Sequence, residues 1–143
     1  YYRLRIVEQL PKDIVWSEQM LFSASALPRA REALTGWYKD KARQVFTERI
    51  DKYAAEMDCR PTVIRITSPQ KRWGSCGAEG GVNFNWRLVM APLEVIDYLV
   101  VHELAHLRYR GHGRDFWGLV RLHNPDYKQQ QRWLKENGYL LVI

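Results

Sequence analysis

The chain opens on an alternation. Tyr2, Leu4 and Ile6 are apolar and Arg3 and Arg5 lie between them, a period of two that predicts a strand. Pro11-Lys12-Asp13 reads as a turn, and Ile14 to Trp16 and Met20 to Ser23 as further short strands, giving an N-terminal β-ribbon within residues 1–26. From Leu27 the period lengthens to three or four. Leu27, Ala30, Leu34, Tyr38, Ala42, Phe46, Ile50, Tyr53 and Met57 form one apolar stripe, while Arg31, Lys39, Arg43 and Arg49 fill the other face. This is the pattern of a long amphipathic helix. Pro28 suits its first turn and Pro61 stops it. A stripe of this kind packs a core and is not a cofactor surface.

Three short segments follow. Thr62 to Ile66 alternates and is β-branched, and Arg72 to Ser75 is bounded by Pro69 and Gly77. Gly81 to Leu88 places Val82, Phe84 and Trp86 on one face and Asn83, Asn85 and Arg87 on the other, after a turn at Gly80-Gly81. These predict strands of one small, mostly antiparallel sheet. Pro92 then opens a second helix, which Gly111 ends or bends. A third helix is expected from about Arg114 to Leu122. Asn124 and Pro125 look like the cap and first residue of a fourth, with Gly138 as its stop. No repeat or low-complexity segment interrupts the chain. The expectation is a single α+β domain over residues 1–143.

Composition narrows the function classes. A chain of 143 residues has the size of one domain, and 13% aromatic residues exclude a disordered chain. The most apolar stretch, Val95 to Val101, is short and contains Asp97, so no membrane helix is expected. Cys59 and Cys76 make no disulfide framework; free thiols in a reducing, cytoplasmic compartment are expected. No signal-peptide pattern is present, and a start at Tyr1 instead of Met suggests an excised fragment. The net charge of +6 permits a nucleic-acid partner or an acidic substrate, but basic runs such as Lys71-Arg72 are only two residues long. A scattered, solvated basic surface is the expectation.

The sharp chemical feature is His102-Glu103-Leu104-Ala105-His106. On a helix, residues four apart share a face, so His102 and His106 can send two imidazoles to one metal ion. Glu103 is rotated by about 100° from His102. It therefore stands beside the ion, where it can take a proton from a water. The uncharged flanks Val101, Leu104, Ala105 and Leu107 suit a buried metal-holding helix better than a pair of surface histidines.

Catalytic zinc usually takes three protein ligands and leaves a fourth position to water. Downstream candidates for the third are His112, His123 and Glu136. Gly111 lets the chain turn back towards the helix just before His112, which favours that residue. A metzincin would have glycine where Tyr109 stands and a methionine turn downstream, yet Met20, Met57 and Met90 all lie upstream. A thermolysin-like site would use Glu136, the one glutamate after the motif.

Several segments together resemble the YgjP-like metallopeptidases, which are predicted metal-dependent hydrolases close to the SprT/Spartan-like zincins. They are Arg72-Trp73-Gly74-Ser75-Cys76, Asn83-Phe84-Asn85-Trp86-Arg87-Leu88, Ile96 through Leu107, Phe116-Trp117 and Pro125-Asp126-Tyr127-Lys128. The resemblance covers residues 27–143, and the N-terminal strands match weakly. It implies a zincin-like fold, Zn²⁺ held by His102, His106 and His112, Glu103 as general base, and a peptide or protein substrate. Gly111-His112-Gly113 stands where the family usually has Asn-His-Ser, which keeps the ligand and changes the loop.

Other roles stay open. Cys76 is read as a structural thiol more readily than as a fourth ligand. The Val82 to Leu88 strand is the expected edge for an extended peptide, with Asn83, Asn85 and Arg87 on its polar face. Tyr109, Arg108, His123 and Tyr127 are conceivable oxyanion helpers. Two rival classes remain: a metal-stabilised nucleic-acid-binding module, against which Glu103 argues, and a small-molecule amidohydrolase. Nucleic-acid binding is expected to be weak.

Overall fold

The computed structural model describes residues 3–69 and 71–143. Tyr2, the first residue of the predicted alternation, lies outside them. The chain forms two compact units. The first runs to Asp40 and includes Ile143; the second spans Lys41–Val142.

In the first unit, β1 (Leu4–Val7), β2 (Ile14–Trp16) and β3 (Met20–Ser23) form a sheet of order β1-β3-β2. The predicted strands are present. The alternation in β1 does not mark a buried face, however: Leu4 and Ile6 are both exposed. The small core here comes from Ile14, Met20, Phe22 and Ala26, against which Ala33, Leu34, Trp37 and Tyr38 pack.

The long helix α1 spans Ala30–Met57. It starts later than the stripe suggests, because Ala24–Arg29, with Pro28, forms a 3-10 turn first. Within the second unit the stripe is fully buried at Ala42, Phe46, Ile50, Tyr53 and Met57. Phe46 stacks on Phe84 with ring centroids 4.5 Å apart. Pro61 lies beyond the end of the helix, as expected.

The second sheet contains β4 (Val63–Thr67), β5 (Gly74–Cys76) and β6 (Gly81–Asn85), in the order β4-β6-β5. Two expectations change here. Each sheet of the molecule has one parallel and one antiparallel pairing, so neither is mostly antiparallel. The strand of the Val82 to Leu88 segment, β6, is central, with both edges paired, and it ends at Asn85. Trp86–Met90 is a 3-10 turn, because the Asn85 side chain accepts the Arg87 N–H and caps it. The Asn85 amide also donates to the Pro69 and Arg72 carbonyls. Buried and hydrogen-bonded in this way, Asn85 fixes the loop before β5. Gly80 takes the left-handed conformation, φ +81°, that the turn before β6 needs.

Helix α2 (Leu93–Ala105) buries Val95, Ile96, Leu99, Val100, Val101, Leu104 and Ala105. It ends at His106, well before Gly111, and turns through Leu107 to Tyr109. Helix α3 spans Arg114–His123 and α4 spans Tyr127–Asn137. Asn124 closes α3 instead of capping α4, since Pro125 and Asp126 form an intervening turn. Gly138 does follow α4, in right-handed conformation. Its lack of a side chain is explained by Trp73, whose ring would lie 2.9 Å from a Cβ there.

Candidate metal centre

The buried stripe of α2 fixes which way the helix faces, and this directs His102 and Glu103 into a cleft of about 550 Å³. His106 follows at the helix cap, and the bend after it returns the chain so that His112 enters the same cleft. The Nε2 atoms converge: His106 and His112 are 3.1 Å apart, and His112 and His102 3.3 Å. Nitrogens bound tetrahedrally at about 2.0–2.1 Å from one zinc ion would lie roughly 3.3 Å apart. One donor atom from each histidine falls within 4.8 Å of the others, and among the described residues this is the group of three that could hold a metal ion. His123 and Glu136 are not part of it. His123 Nδ1 lies 3.9 Å from Glu56 and Glu136 is exposed on α4.

The Nδ1 atoms of His102 and His106 have partners. His106 Nδ1 is 3.0 Å from the Tyr109 carbonyl, which takes an Nδ1 proton and leaves Nε2 free. His102 Nδ1 is 3.4 Å from the Tyr98 hydroxyl. Burial, and then the positive charge of His106 and His112, push the His102 pKa down to about 4. Burial, with His112 beside it, also lowers that of His106, against the opposing pull of the Tyr109 carbonyl. Neutral imidazole is the form that ligates a metal.

Glu103 is 4% exposed. Burial pushes its carboxyl up to about 7, and the nearby positive charge of Arg72 holds the rise back. Its neighbour is Gly74 of β5: a Cβ on Gly74 would sit 2.6 Å from Glu103 Oε1. The glycine of the Arg72 to Cys76 segment thus makes room for the carboxylate. Cys76 lines the cleft as a half-buried free thiol, and burial, then the Glu103 charge, raise its pKa. It stands outside the group of three histidines.

The chain matches the model of the YgjP-like metallopeptidase domain over residues 2–137. It belongs to the YgjP-like metallopeptidase family. The match also corrects the expected extent of the resemblance, because it includes the N-terminal strands. This YgjP-like chain is further similar in fold to two solved structures. One is the metallopeptidase zymogen of Pyrococcus abyssi abylysin, at 19% identity and a TM-score of 0.58, covering 64% of this chain and 93% of that one. The other is the metallopeptidase zymogen of Methanocaldococcus jannaschii jannalysin, at 18% identity and a TM-score of 0.55, covering 66% and 96%. No curated protein matches the chain. The fold is the zincin-like α+β expected, and the family makes the protein a metal-dependent peptidase with peptide substrates. Among the described residues no helix is long and apolar enough to cross a membrane.

The four conceivable oxyanion helpers are not among the residues lining the cleft. Arg108 donates to the Met57 and Asp58 carbonyls, Tyr127 stacks on Trp117, and Tyr109 lines a separate groove on α3. The basic side chain in the cleft wall is Arg110, which donates to the Ala78 carbonyl at 3.1 Å. Sequence reasoning missed Gly74 and Tyr98. For Tyr98 a cue exists: it stands four residues before His102, on the same helix face.

Proposed function

We propose that this YgjP-like domain is a zinc peptidase in which His102, His106 and His112 hold Zn²⁺ and Glu103 is the general base. The observation that carries this reading is the convergence of three Nε2 atoms in a cleft that Glu103 also lines. Three imidazoles suit zinc and leave a fourth tetrahedral position open. When bound there, the ion supplies Lewis acidity, lowering the pKa of a water towards about 7 and polarising the scissile carbonyl. Glu103 accepts the proton of the attacking water and returns it to the leaving amine.

We place the peptide strand against β5. That strand is at a sheet edge and its residues line the cleft, whereas β6 has no free edge. A metal-stabilised nucleic-acid module fits less well, since it has no use for a buried carboxylate between two ligands. We read residues 1–143 as one metallopeptidase domain, and a reducing cytoplasmic setting fits its free thiols. The test is Glu103→Gln assayed on a cleavable peptide, with metal content measured alongside. The rate should fall by at least about a hundredfold while metal is retained. An unchanged rate would remove the general-base assignment.

A further inference from the structure

The mechanism above leaves one buried polar chain unused. Tyr98 is 4% exposed, so its hydroxyl needs a partner inside the protein. It has two. One is His102 Nδ1 at 3.4 Å, on the same face of α2. The other is Gln131 of α4, whose Nε2 donates to the Tyr98 hydroxyl at 3.0 Å. The ring is fixed as well: Tyr98 stacks on Tyr127 of α4, and Tyr127 stacks on Trp117 of α3 at 5.0 Å. Trp117 in turn lies 5.8 Å from both the His102 and the His112 rings.

From this geometry we infer that Tyr98 is a positioning residue for the metal centre, and that Gln131 holds Tyr98 in place. The inference rests on the ligand assignment proposed above. An imidazole that binds through Nε2 carries its proton on Nδ1, and that proton needs an acceptor. For His106 the acceptor is the Tyr109 carbonyl, which comes with the turn. His102 sits inside a helix whose carbonyls are already used, so its acceptor has to be a side chain. The Tyr98 hydroxyl oxygen supplies it. The Gln131 amide and the Tyr127 ring fix where the Tyr98 oxygen stands. In this way α4, which contributes no ligand, sets the tilt of His102. Partners of this kind typically account for about 10–100-fold in metal affinity.

The test is zinc affinity, measured by competition with a chromophoric chelator at fixed pH, for the parent, Tyr98→Phe, Gln131→Leu and the double variant. Thermal unfolding of each metal-free protein is followed in parallel. Tyr98→Phe keeps the ring and its stacking and should weaken zinc binding by at least about tenfold. Gln131→Leu should weaken it less. The double variant should bind like Tyr98→Phe alone, because Gln131 acts through Tyr98. Nitrogen-15 spectra of the zinc-loaded proteins add a signature that packing alone would not move: the His102 Nδ1 resonance should shift in Tyr98→Phe, which removes its hydrogen-bond partner, while those of His106 and His112 stay in place. Affinities within twofold of the parent and an unchanged His102 Nδ1 resonance would overturn the inference while leaving the zinc site standing. A parent that takes up no zinc would overturn the ligand assignment and this inference with it.

Discussion

Gly74 and Glu103 illustrate how the site is built from single residues. The carboxylate occupies the volume a side chain at Gly74 would fill, with Glu103 Cγ and Cδ both 3.0 Å from the place of the absent Cβ. Gly74→Ala should therefore push Glu103 aside. The glutamate is flexible, so little stability should be lost. Displacement of a reacting group by about 1 Å can cost on the order of a hundredfold in rate. The prediction is a loss of that size with metal content and melting temperature nearly unchanged, checked by a peptide assay beside thermal unfolding. At this scale the sequence was legible where chemistry and spacing coincide. His102, Glu103 and His106 announce themselves through helical geometry, and His112 through the glycine before it. Gly74 was not legible, because its reason for being glycine is a contact with a residue far along the chain. Asn85 was misread, because a polar residue in an alternating strand looks solvent-facing until its three hydrogen bonds are seen.

Among the elements, α1 and α2 are joined by a polar clasp as well as by apolar packing. Arg49 grips Asp97 through two parallel bonds, Nε to Oδ1 at 2.5 Å and Nη2 to Oδ2 at 2.7 Å, and Tyr53 donates to the same carboxylate at 3.1 Å. The pair is mostly shielded from water, with side-chain exposures of 21% and 14%. Removing one partner leaves the other charge without compensation, which costs about 3 kcal/mol at the low end for such pairs. Asp97→Ala should lose roughly that much in urea unfolding, and a loss below about 1 kcal/mol would mark the clasp as an ordinary surface pair. The helices were legible from their apolar periods, and the clasp was not, since Arg49 reads as one of several solvent-facing charges on α1. Strand pairing was the least legible feature. Alternation says which residues form a strand, but it carries no information on the neighbour or its direction, so β6 looked like an edge and proved central.

On the scale of the whole molecule, a charge of +6 invites a nucleic-acid reading. The densest basic group, Arg108, Arg110 and Arg114, is partly spent on the protein itself: Arg108 and Arg110 donate to backbone carbonyls. Duplex affinity needs several phosphate contacts made together, each adding to the salt slope. Weak, non-specific binding with a shallow slope is expected in a fluorescence-anisotropy titration with single- and double-stranded DNA across a salt series. A slope of about six or more phosphate contacts would contradict this.

The account as a whole stands on three histidines meeting at one ion, so the most direct measurement is metal content per chain. Elemental analysis of the parent, His112→Ala and His123→Ala after equilibration with zinc and removal of the excess should give one zinc in the parent and in His123→Ala, and little in His112→Ala. Zinc lost from His123→Ala and kept by His112→Ala would contradict the site.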